Sequence, residues 1–421
     1  MKLQKLISRL QQKHPKKLDL SLGRSFNLLK KLGNPQDKLN NVISVVGTNS
    51  KYSICQSLKA ILNQSDYKCN LYLSPHLQSY TERFIFNDKE ISEETLINLL
   101  EDVEKTLGDS QATLFEILTC AYLKYCENFK DNITLIEAGL FHQFDSTNVF
   151  KKNLASIIGS VGLDHLQWIK NKTIEGIIHE KTVNLLNSNI FVNKQDDKTI
   201  TSKIESALIN NQSKKYFFGK DFNILKSENS FIQYEDNEGS IILPEPNILG
   251  DHQLLNIGTS IATSKKLFNI KDNDIKNAII KIDLKGRLQE IRSGKLKKII
   301  GSNRLICDGG HNINAAKAIT NWIKQQNQDV HLIIGMMKDK DHQGFIECFK
   351  DNVKSITLID VPNQEGSISK EDFKNKLNGI NKKINLSNSI EKSIQSINKY
   401  QNDICLIVGS LYLAGEVLNL N

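Results

Sequence analysis

The sequence is poor in several residue types, and each shortage excludes a class of protein. Its 421 residues include six prolines and seven cysteines, and the cysteines contain no CxxC pair. Neither a disulfide framework nor a tetrahedral zinc site is therefore indicated. No run of about 18 apolar residues occurs, and the charged amino-terminal stretch lacks the apolar segment of a signal peptide. We expect a cytoplasmic protein without a membrane partner, whose cysteines are mostly small core residues.

Charge of one sign is not concentrated anywhere in the chain. The 55 basic and 47 acidic residues give a formal net charge of +8 and are spread along the sequence. No lysine-rich or arginine-rich block is present to follow a nucleic-acid backbone, so no nucleic-acid partner is expected. The mild positive charge indicates attraction for anionic small molecules. A hydrophobic fraction of 39% is enough to give two or three domains a core each.

Short apolar runs alternate with helical patterns in the first half of the chain. Residues 42–46 form a β-branched run that stops at Gly47, and helical spacing of apolar residues follows over 53–62. This alternation predicts an α/β fold with a mainly parallel sheet and helices on both faces. The further predicted strands lie at 70–73, 133–138, 154–161 and 188–192.

A second series of the same kind follows a change in composition. Residues 200–245 are polar, poor in long helical patterns and contain short alternating runs, which predict a small antiparallel excursion. Helical periodicity returns at 251–281, and a doubly wound pattern begins after Gly286. Its apolar runs are KKIIG, RLICDGG, VHLIIGMM, SITLID and DICLIVGS. We predict a boundary near residue 290, with domains at 1–289 and 290–421.

The segment from Gly47 to Ser53 contains the first candidate site. It follows a strand and opens a helix, where backbone N–H groups and the helix dipole favour phosphate. Lys51 and the Ser53 hydroxyl have the positions of phosphate and Mg²⁺ contacts in nucleotide loops. Ser50 replaces the usual glycine, at a cost of about 1 kcal/mol if its φ is positive, and Tyr52 replaces a small residue. By itself, the loop fits an ordinary strand-to-helix turn equally well.

Ten further motifs accompany this loop in a fixed order. They are SPHLQSYTERF (74–84), FE (115–116), IEAGLFHQFDSTNV (136–149), SVGLDHLQWI (160–169), HEK (179–181), GDHQLLN (250–256), KGRLQEI (285–291), CDGGHNINAA (307–316), GMMKDKD (335–341) and GSLYLAGEV (409–417). Together they resemble the folylpolyglutamate synthase and dihydrofolate synthase family, a branch of the Mur ligases, over nearly the whole chain. The resemblance implies a Mur-ligase-like α/β fold, in which a P-loop nucleotide-binding domain with folate-substrate loops precedes a smaller Rossmann-like domain.

The resemblance implies that the cofactors are ATP and Mg²⁺, and that two Mg²⁺ ions are bound. Lys51 matches the phosphate-loop lysine of the family. The other implied nucleotide contacts are Asn49, Ser50, Tyr52, Asn256, Arg287, Asp308 and His311.

The resemblance also implies magnesium positions, at Ser53, Ser74, Glu137 and His165. Hydroxyl and carboxylate oxygens with one imidazole suit a hard cation that keeps several waters. Lys181 matches a lysine that the family carbamylates, which turns an ammonium group into a carboxylate-like ligand for a second magnesium ion. The implied catalytic residues are thus Lys51, His165 and Lys181.

Three segments match substrate-side positions of the family. LDLSLGR (18–24) resembles a loop that contacts dihydropteroate in bifunctional members. The family motif GLGGRLD is here GLFHQFD (139–145), so two glycines and an arginine are absent beside the implied reaction centre. The implied substrate contacts are Asp19, Leu20, Thr113, Leu114, Phe115, Glu116, Phe144, Asp145 and Ser146.

Each of these residues also has an ordinary structural interpretation. Glu137 and His165 would then be capping or salt-bridging residues at strand ends. Asp308 would be the N-cap of a strand-to-helix turn. Lys181 would be a surface lysine on a helix, and His142 a surface histidine.

The resemblance implies that MgATP phosphorylates a substrate carboxylate and that the amine of L-glutamate attacks the acyl phosphate. The carboxylate substrate is dihydropteroate, a folylglutamate or both, and LDLSLGR favours a bifunctional enzyme. We expect a monomer. A paralogue without catalysis that binds nucleotide or acts as a scaffold is the alternative, because Ser50, Tyr52 and residues 141–143 depart from the family near the phosphates. A peptidoglycan-precursor ligase is a neighbouring alternative, whereas a nicotinamide oxidoreductase lacks a GxGxxG motif.

Overall fold

A computed structural model describes residues 2–13, 21–226 and 231–421. The chain divides into two compact units, one of residues 1–245 and 255–282 and the other of residues 246–254 and 283–421. The second unit thus begins a few residues before the predicted boundary and includes an earlier segment. The assignment of ATP binding and ligase chemistry to separate domains stays a prediction.

The first unit is organised around an eight-stranded sheet. Its strands are β1 (Val42–Val46), β2 (Cys69–Tyr72), β3 (Phe84–Phe86), β4 (Lys89–Glu90), β5 (Ile133–Glu137), β6 (Ala155–Ile158), β7 (Asn189–Val192) and β8 (Lys214–Phe217). The order is β4-β3-β2-β5-β1-β6-β7-β8, and all pairs between β2 and β8 are parallel. Strands β3 and β4 are antiparallel. The carboxyl ends of β5, β1 and β6 therefore meet at one edge, where the loop after β1 lies between its neighbours.

Helices join the strands, as the alternation predicts. They are α1 (Lys2–Lys13), α2 (Gly23–Lys31), α3 (Lys51–Gln64), α4 (Glu93–Leu107), α5 (Leu114–Cys126), α6 (Ile174–Thr182), α7 (Lys198–Ala207), α8 (Asp251–Leu267) and α9 (Asp272–Ile279). One apolar cluster includes Leu100 and Tyr122, and another includes Ile158 and Ile177. Each fully buried side chain of this size contributes about 1.5–3 kcal/mol, so these clusters hold the helices against the sheet.

The polar stretch predicted at 200–245 contains the expected antiparallel sheet. Its strands are β9 (Phe222–Lys226), β10 (Ile232–Asp236) and β11 (Gly239–Leu243). The stretch also contains most of α7, which begins at 198 and which its polar composition did not predict. The Asp197 side chain caps α7 by accepting from Thr199 N, and only Ile204 of the helix is buried. A helix with one buried residue has no apolar stripe for periodicity to detect.

The second unit contains a six-stranded sheet. Its strands are β12 (Gln289–Glu290), β13 (Arg304–Cys307), β14 (Val330–Ile334), β15 (Ser355–Leu358), β16 (Ile384–Leu386) and β17 (Ile404–Val408). The order is β12-β13-β17-β14-β15-β16, parallel throughout except at β12. The helices are α10 (Lys295–Ile300), α11 (Ile313–Ile323), α12 (His342–Glu347), α13 (Lys370–Asn375), α14 (Ile390–Ile397) and α15 (Leu411–Leu420).

Four of the five apolar runs predicted after residue 286 are strands of this sheet, but the first is not. KKIIG lies in α10, where Leu296 and Ile300 are buried. Residues four apart share one face of a helix, so this pair buries together while Lys298 stays exposed. The run was too short for its period to separate strand from helix.

Six of the seven cysteines are buried and Cys348 is partly buried, and all are free thiols. This confirms the expectation that most are core residues. Within the described ranges, none of the helices has both the length and the apolar character needed to cross a membrane.

Gly176, in the first turn of α6, tests how tightly this helix packs. A Cβ at this position would overlap the Asn171 carbonyl oxygen, which is backbone and cannot turn aside. We expect Gly176→Ala to lower stability by about 1–3 kcal/mol, measured by thermal unfolding. Gly23→Ala is the matched control, because a Cβ there meets nothing within 4 Å, and it should leave Tm unchanged or raise it. Equal Tm values for both variants would contradict this packing.

Candidate functional site

The loop after β1 is held in close contact with the loop after β6. Thr48 N and Asn49 N both donate to the Ser160 carbonyl oxygen, at 2.9 and 3.2 Å. A Cβ on Gly47 would lie 2.9 Å from the Asn49 carbonyl oxygen and 3.2 Å from the Gly159 Cα. Neither glycine could carry a side chain without separating the loops, so the two backbones define the shape of this edge.

Ser50, which replaces the usual glycine of nucleotide loops, is the N-cap residue of α3 and has a positive φ. Its φ is 74°, and its side chain does not cap the helix. Its hydroxyl oxygen instead lies 3.3 Å from that of Ser160. The αL backbone costs about 1 kcal/mol for a non-glycine residue. Because the Ser50 side chain caps no N–H group, the start of α3 keeps the character of an anion site.

Two lysines donate to the same carbonyl oxygen of this loop. Lys51 Nζ lies 3.1 Å from Gly47 O and 3.3 Å from Thr48 O. Lys181 Nζ, from α6, lies 2.9 Å from Gly47 O. Lys181 is only 3% exposed, so its interpretation as a surface lysine is wrong. The two predicted catalytic lysines therefore meet at the loop after β1.

Burial changes the chemistry of Lys181. Together with the nearby Lys51 ammonium, it lowers the pKa of Lys181 from 10.5 to about 7, against the opposing effects of Asp164 and Asp145. The lowered pKa makes the neutral amine accessible near neutral pH. A neutral amine is the form that reacts with an electrophile such as CO₂.

The pair Glu137 and Ser74 has the features of a cation site. Glu137 ends β5, is 4% exposed and accepts a hydrogen bond from Ser74 N at 2.9 Å. The Ser74 hydroxyl oxygen is buried and has no hydrogen-bond partner. An orphaned buried hydroxyl beside a buried carboxylate fits a divalent cation, which would bind both oxygens.

Ser53, the third residue of α3, is 2% exposed. Among the described residues, no group of three or more His, Cys, Asp and Glu side chains could bind a metal ion. A cation here would therefore need hydroxyl, water or phosphate oxygens as well.

His165 lies away from any strand end, so its expected position is wrong. It is the N-cap residue of a short 3₁₀ helix (Leu166–Trp168), has a φ of 55° and provides no side-chain cap. Its Nε2 lies 3.9 Å from Asp164 Oδ2, and its side chain is 39% exposed. The ring packs edge-on against Phe141, with centroids 6.5 Å apart. Its predicted role as a metal ligand stays a prediction.

The loop 139–145 packs beside Lys181. His142 is 5% exposed, so its interpretation as a surface histidine is wrong. Burial lowers the pKa of His142 to about 4, and the Lys181 charge adds to this effect against a hydrogen bond to the Asn184 backbone. The imidazole is therefore neutral at physiological pH.

Asp145 stabilises this loop from within. Its carboxylate accepts from Leu140 N at 2.7 Å, Thr147 N at 3.0 Å and Thr147 Oγ1 at 2.5 Å. Burial raises its pKa although these hydrogen bonds oppose the shift. Of the neighbouring predicted substrate residues, Ser146 is 5% exposed and Phe144 is 40% exposed.

The predicted substrate residues at the start of α5 are engaged in local structure. Thr113 Oγ1 accepts from Glu116 N at 3.3 Å, and Glu116 Oε2 accepts from Thr113 N at 2.6 Å, which forms a capping box. Arg24 Nε donates to both Glu116 carboxylate oxygens, at 3.0 and 3.2 Å. Leu114 and Phe115 pack against an apolar cluster. Asp19 and Leu20 lie outside the described residues.

Sequence reasoning missed a cluster in the SPHLQSYTERF segment. Arg83 Nε donates to His76 Nδ1 at 2.9 Å, and the guanidinium lies 5.0 Å from the centroid of the Tyr80 ring. Burial and the Arg83 charge lower the pKa of His76 to about 3, so that its ring nitrogen accepts. Burial raises the pKa of Tyr72, and the Arg83 charge opposes this shift. The histidine, tyrosine and arginine within eight residues were the available signal.

Asp308 follows β13 in the second unit and organises the turn after it. Its Oδ2 accepts from Leu288 N at 2.7 Å and its Oδ1 from Gly310 N at 2.6 Å. Burial raises its pKa, against Arg287 and these two N–H groups. The N-cap of α11 is Asn312, so the N-cap interpretation of Asp308 is wrong.

Arg287 and His311 lie at the same turn. Arg287 Nη1 donates to Gly286 O at 3.2 Å, and His311 Nδ1 lies 2.9 Å from Gly309 O. A Cβ on Gly309 would lie 2.9 Å from Arg287 Nη1. His252, which the sequence did not single out, is a neighbour of Arg287, and burial followed by the Arg287 charge lowers its pKa to about 4. The structure thus gathers three predicted nucleotide residues in one unit.

Two further predicted nucleotide residues belong to the first unit, Tyr52 as the second residue of α3 and Asn256. Asn256 lies on α8, is 3% exposed, and its Oδ1 accepts from Asn193 Nδ2 at 2.8 Å. Asn193 directly follows β7, so Asn256 lies near the carboxyl edge of the sheet.

Comparisons with known proteins agree with this arrangement. The family model described as "Mur ligase, glutamate ligase domain" matches residues 286–411. The chain is 26% identical to dihydrofolate synthetase of Saccharomyces cerevisiae, over 96% of this chain and 98% of that protein. It is also 26% identical to dihydrofolate synthase/folylpolyglutamate synthase of Bacillus subtilis, over 94% of each. A bifunctional folylpolyglutamate synthase/dihydrofolate synthase from Yersinia pestis, solved with AMPPNP and a Mn ion, has a TM-score of 0.85, 23% identity and coverage of 99% of this chain and 97% of that chain.

Three features together define the class of this protein: the matched domain, the two α/β units and the sheet edge at which Gly47 and Gly159 let two loops approach. The class is a Mur-type ligase with a glutamate ligase domain toward its carboxyl end. The chain resembles dihydrofolate synthase/folylpolyglutamate synthases over nearly its whole length. The expected resemblance and fold class are thereby confirmed, whereas the individual site residues stay predictions.

Lys181→Met tests the burial of the amine. The unfolded chain keeps a proton on Lys181 up to about pH 10.4, whereas the folded chain releases it near pH 7. Stability therefore rises with pH across this window, and the full cost of burying the charge applies below it. We expect Lys181→Met to raise Tm most below pH 7, with a gain that shrinks towards pH 10. Lys276→Met, at an exposed position, is the control. A gain that grew with pH would contradict the lowered pKa.

Proposed function

We propose that this chain is an ATP-dependent ligase that adds L-glutamate to dihydropteroate, to a folylglutamate or to both. The observation that carries the proposal is the meeting of Lys51 and Lys181 on the Gly47 carbonyl oxygen, at a helix start that lacks a side-chain cap from Ser50. Similarity to dihydrofolate synthase/folylpolyglutamate synthases over nearly the whole chain supports it. We also propose a cytoplasmic monomer, with ATP and two magnesium ions as its cofactors.

In this reaction class, MgATP would transfer its γ-phosphoryl group to a carboxylate, which leaves ADP and an acyl phosphate. The glutamate amine would then attack the acyl carbon, lose a proton and displace phosphate, which leaves an amide. The residues of this chain position the groups and balance their charges. Lys51 offers its ammonium group to phosphate oxygens in place of the two loop carbonyls. Glu137 and Ser74 would bind one cation through oxygen atoms. No side-chain nucleophile is required.

Arg287, Asp308 and His311 are the proposed nucleotide contacts of the second unit. Asp308 acts by holding Leu288 and Gly310 through their N–H groups. Because the carboxyl edge of a parallel sheet is where such folds bind nucleotides, this turn suits a ribose or phosphate. The absence of a side chain at Gly309 leaves the Arg287 guanidinium against the backbone.

Lys51→Ala tests the proposed activity. With dihydropteroate, glutamate and MgATP, we expect ADP release to fall by about 100-fold or more, because removing a preorganised charge at a developing anion costs a few kcal/mol. Lys59→Ala, two turns later on α3, should retain the wild-type rate. Activity unaffected by Lys51→Ala would refute the assignment of the loop.

The second candidate function is a nucleotide-binding or scaffold protein without catalysis. Two observations favour it. Ser50 and Phe141 have a positive φ, which strains their backbone, and the bulky Tyr52 follows Lys51 directly. Calorimetry with MgAMPPNP separates the two functions. Binding without any ADP release from added substrates would support the second candidate, and turnover would exclude it.

Lys181 is proposed to be carbamylated. Its neutral amine would attack CO₂, forming an N–C bond while the departing proton passes to solvent and a carbamate remains. We expect ¹³C NMR with labelled bicarbonate near pH 7.5 to show one carbamate signal that is absent in Lys181→Arg. Lys276→Arg, at an exposed position, should retain that signal. A signal that persisted in Lys181→Arg would assign it to another amine.

A further inference from the structure

Gln195 follows β7 and lies buried beside the loop after β6. Its side chain is 3% exposed. Its Oε1 accepts a hydrogen bond from Val161 N at 2.9 Å, and its Nε2 donates to the carbonyl oxygens of Gly159 at 3.1 Å and Asn193 at 2.7 Å. Both N–H groups of the amide have an acceptor and its oxygen has a donor, so only one orientation of the amide fits. One buried side chain therefore bridges two residues of the loop after β6.

The residue between these two positions is Ser160, whose carbonyl oxygen holds the loop after β1. It accepts from Thr48 N at 2.9 Å and from Asn49 N at 3.2 Å. This carbonyl oxygen and Val161 N belong to one planar peptide group and point in opposite directions. Gln195 thus binds one side of the peptide plane while the loop after β1 binds the other. A peptide plane held on both sides cannot turn, so Gln195 fixes the direction of the Ser160 carbonyl.

The loop after β1 leads directly into the start of α3. Its Thr48 Oγ1 donates to Gly162 O at 2.9 Å and accepts from Gly162 N at 3.1 Å, which is a second attachment to the loop after β6. Ser50 and Lys51 follow, as the N-cap and first residue of α3. The first N–H groups of a helix have no partner within the helix and can bind an anion. Their direction therefore depends on how firmly the loop before them is held.

Asn193 extends the same buried network to α8. Its Nδ2 donates to Asn256 Oδ1 and its Oδ1 accepts from Thr259 Oγ1, both at 2.8 Å. Asn193 and Asn256 are 3% exposed, and Thr259 is 0% exposed. Buried polar networks whose members are paired are rigid. The loop after β1 and a predicted nucleotide residue of α8 are thus joined through side-chain amides that follow β7.

We propose that Gln195 is a positioning residue, which holds the loop after β1 in the shape that binds the phosphates of a nucleotide. It acts through the peptide group between Ser160 and Val161 and touches no ligand itself. The inference rests on the proposed function in that this loop is assigned to MgATP. It goes beyond that function by giving a role to a residue that none of the ordered motifs contains.

The test removes the Gln195 amide and compares the result with the loss of another buried amide. Gln195→Met keeps the side-chain volume nearly constant. Gln195→Asn keeps an amide that is one methylene too short to span the loop after β6, and it decides the question if Gln195→Met fails to fold. Asn70→Leu is the matched control, because Asn70 is 0% exposed and hydrogen-bonded to Phe129 O and Asn87 N, both at 3.0 Å. It lies near the start of β2, at the opposite edge of the parallel sheet.

Deuterium exchange of the peptide that contains Thr48 and Asn49, followed by mass spectrometry, is the first readout and needs no ligand. We expect these two amides to exchange about tenfold faster in the Gln195 variants and at the wild-type rate in Asn70→Leu. Calorimetry with MgAMPPNP is the second readout. We expect Kd to rise about tenfold in the Gln195 variants, with KM for glutamate unchanged, and to stay at the wild-type value in Asn70→Leu.

Wild-type exchange and wild-type Kd in folded Gln195 variants would overturn the proposal. Equal changes in Asn70→Leu would also overturn it, because they would assign the effect to a general loss of stability. The two readouts separate this inference from the proposed function. Failure of the wild-type chain to bind MgAMPPNP would refute the proposed function, whereas wild-type exchange in Gln195→Met would refute the role of Gln195 whether or not nucleotide binds.

Discussion

The Gly47 carbonyl oxygen is the acceptor on which the first unit's site depends. Lys51 and Lys181 both donate to it, and Lys181 does so while almost completely buried. A buried amine without an acceptor would cost several kcal/mol. The carbonyl is available because Gly47 and Gly159 lack side chains and let the two loops approach. The shape of the loop and the positions of the two lysines therefore have one common cause.

The polar groups around this acceptor are buried, which lowers the stability of the protein but suits these groups to a functional role. His142 and Lys181 both have their pKa lowered by burial, and Asp145 has its pKa raised, so each side chain's charged form is disfavoured. A site built this way is rigid and of low dielectric, which strengthens its interactions with an incoming charge. Natural proteins accept the associated loss of stability where activity needs such groups.

The second unit also exposes backbone groups at the edge of a parallel sheet, but it uses different residues to do so. Asp308 holds two backbone N–H groups at the carboxyl edge of a parallel sheet, and Gly309 keeps that edge free of a side chain beside Arg287. The order of strands places β13 beside the central β17. Both units therefore present backbone and a few charged side chains at the edge where parallel sheets bind ligands.

Local patterns in the sequence were sufficient to predict the two α/β series, most strands and, through the ordered motifs, the resemblance to the ligase family. They failed for α10, whose short apolar run fits either period, and for α7, which buries a single residue. Only the tertiary structure decided that Lys181 and His142 are buried and that Glu116 binds Arg24. Those contacts join residues separated by up to 134 positions, and no local period records which distant segment will cover a given polar side chain.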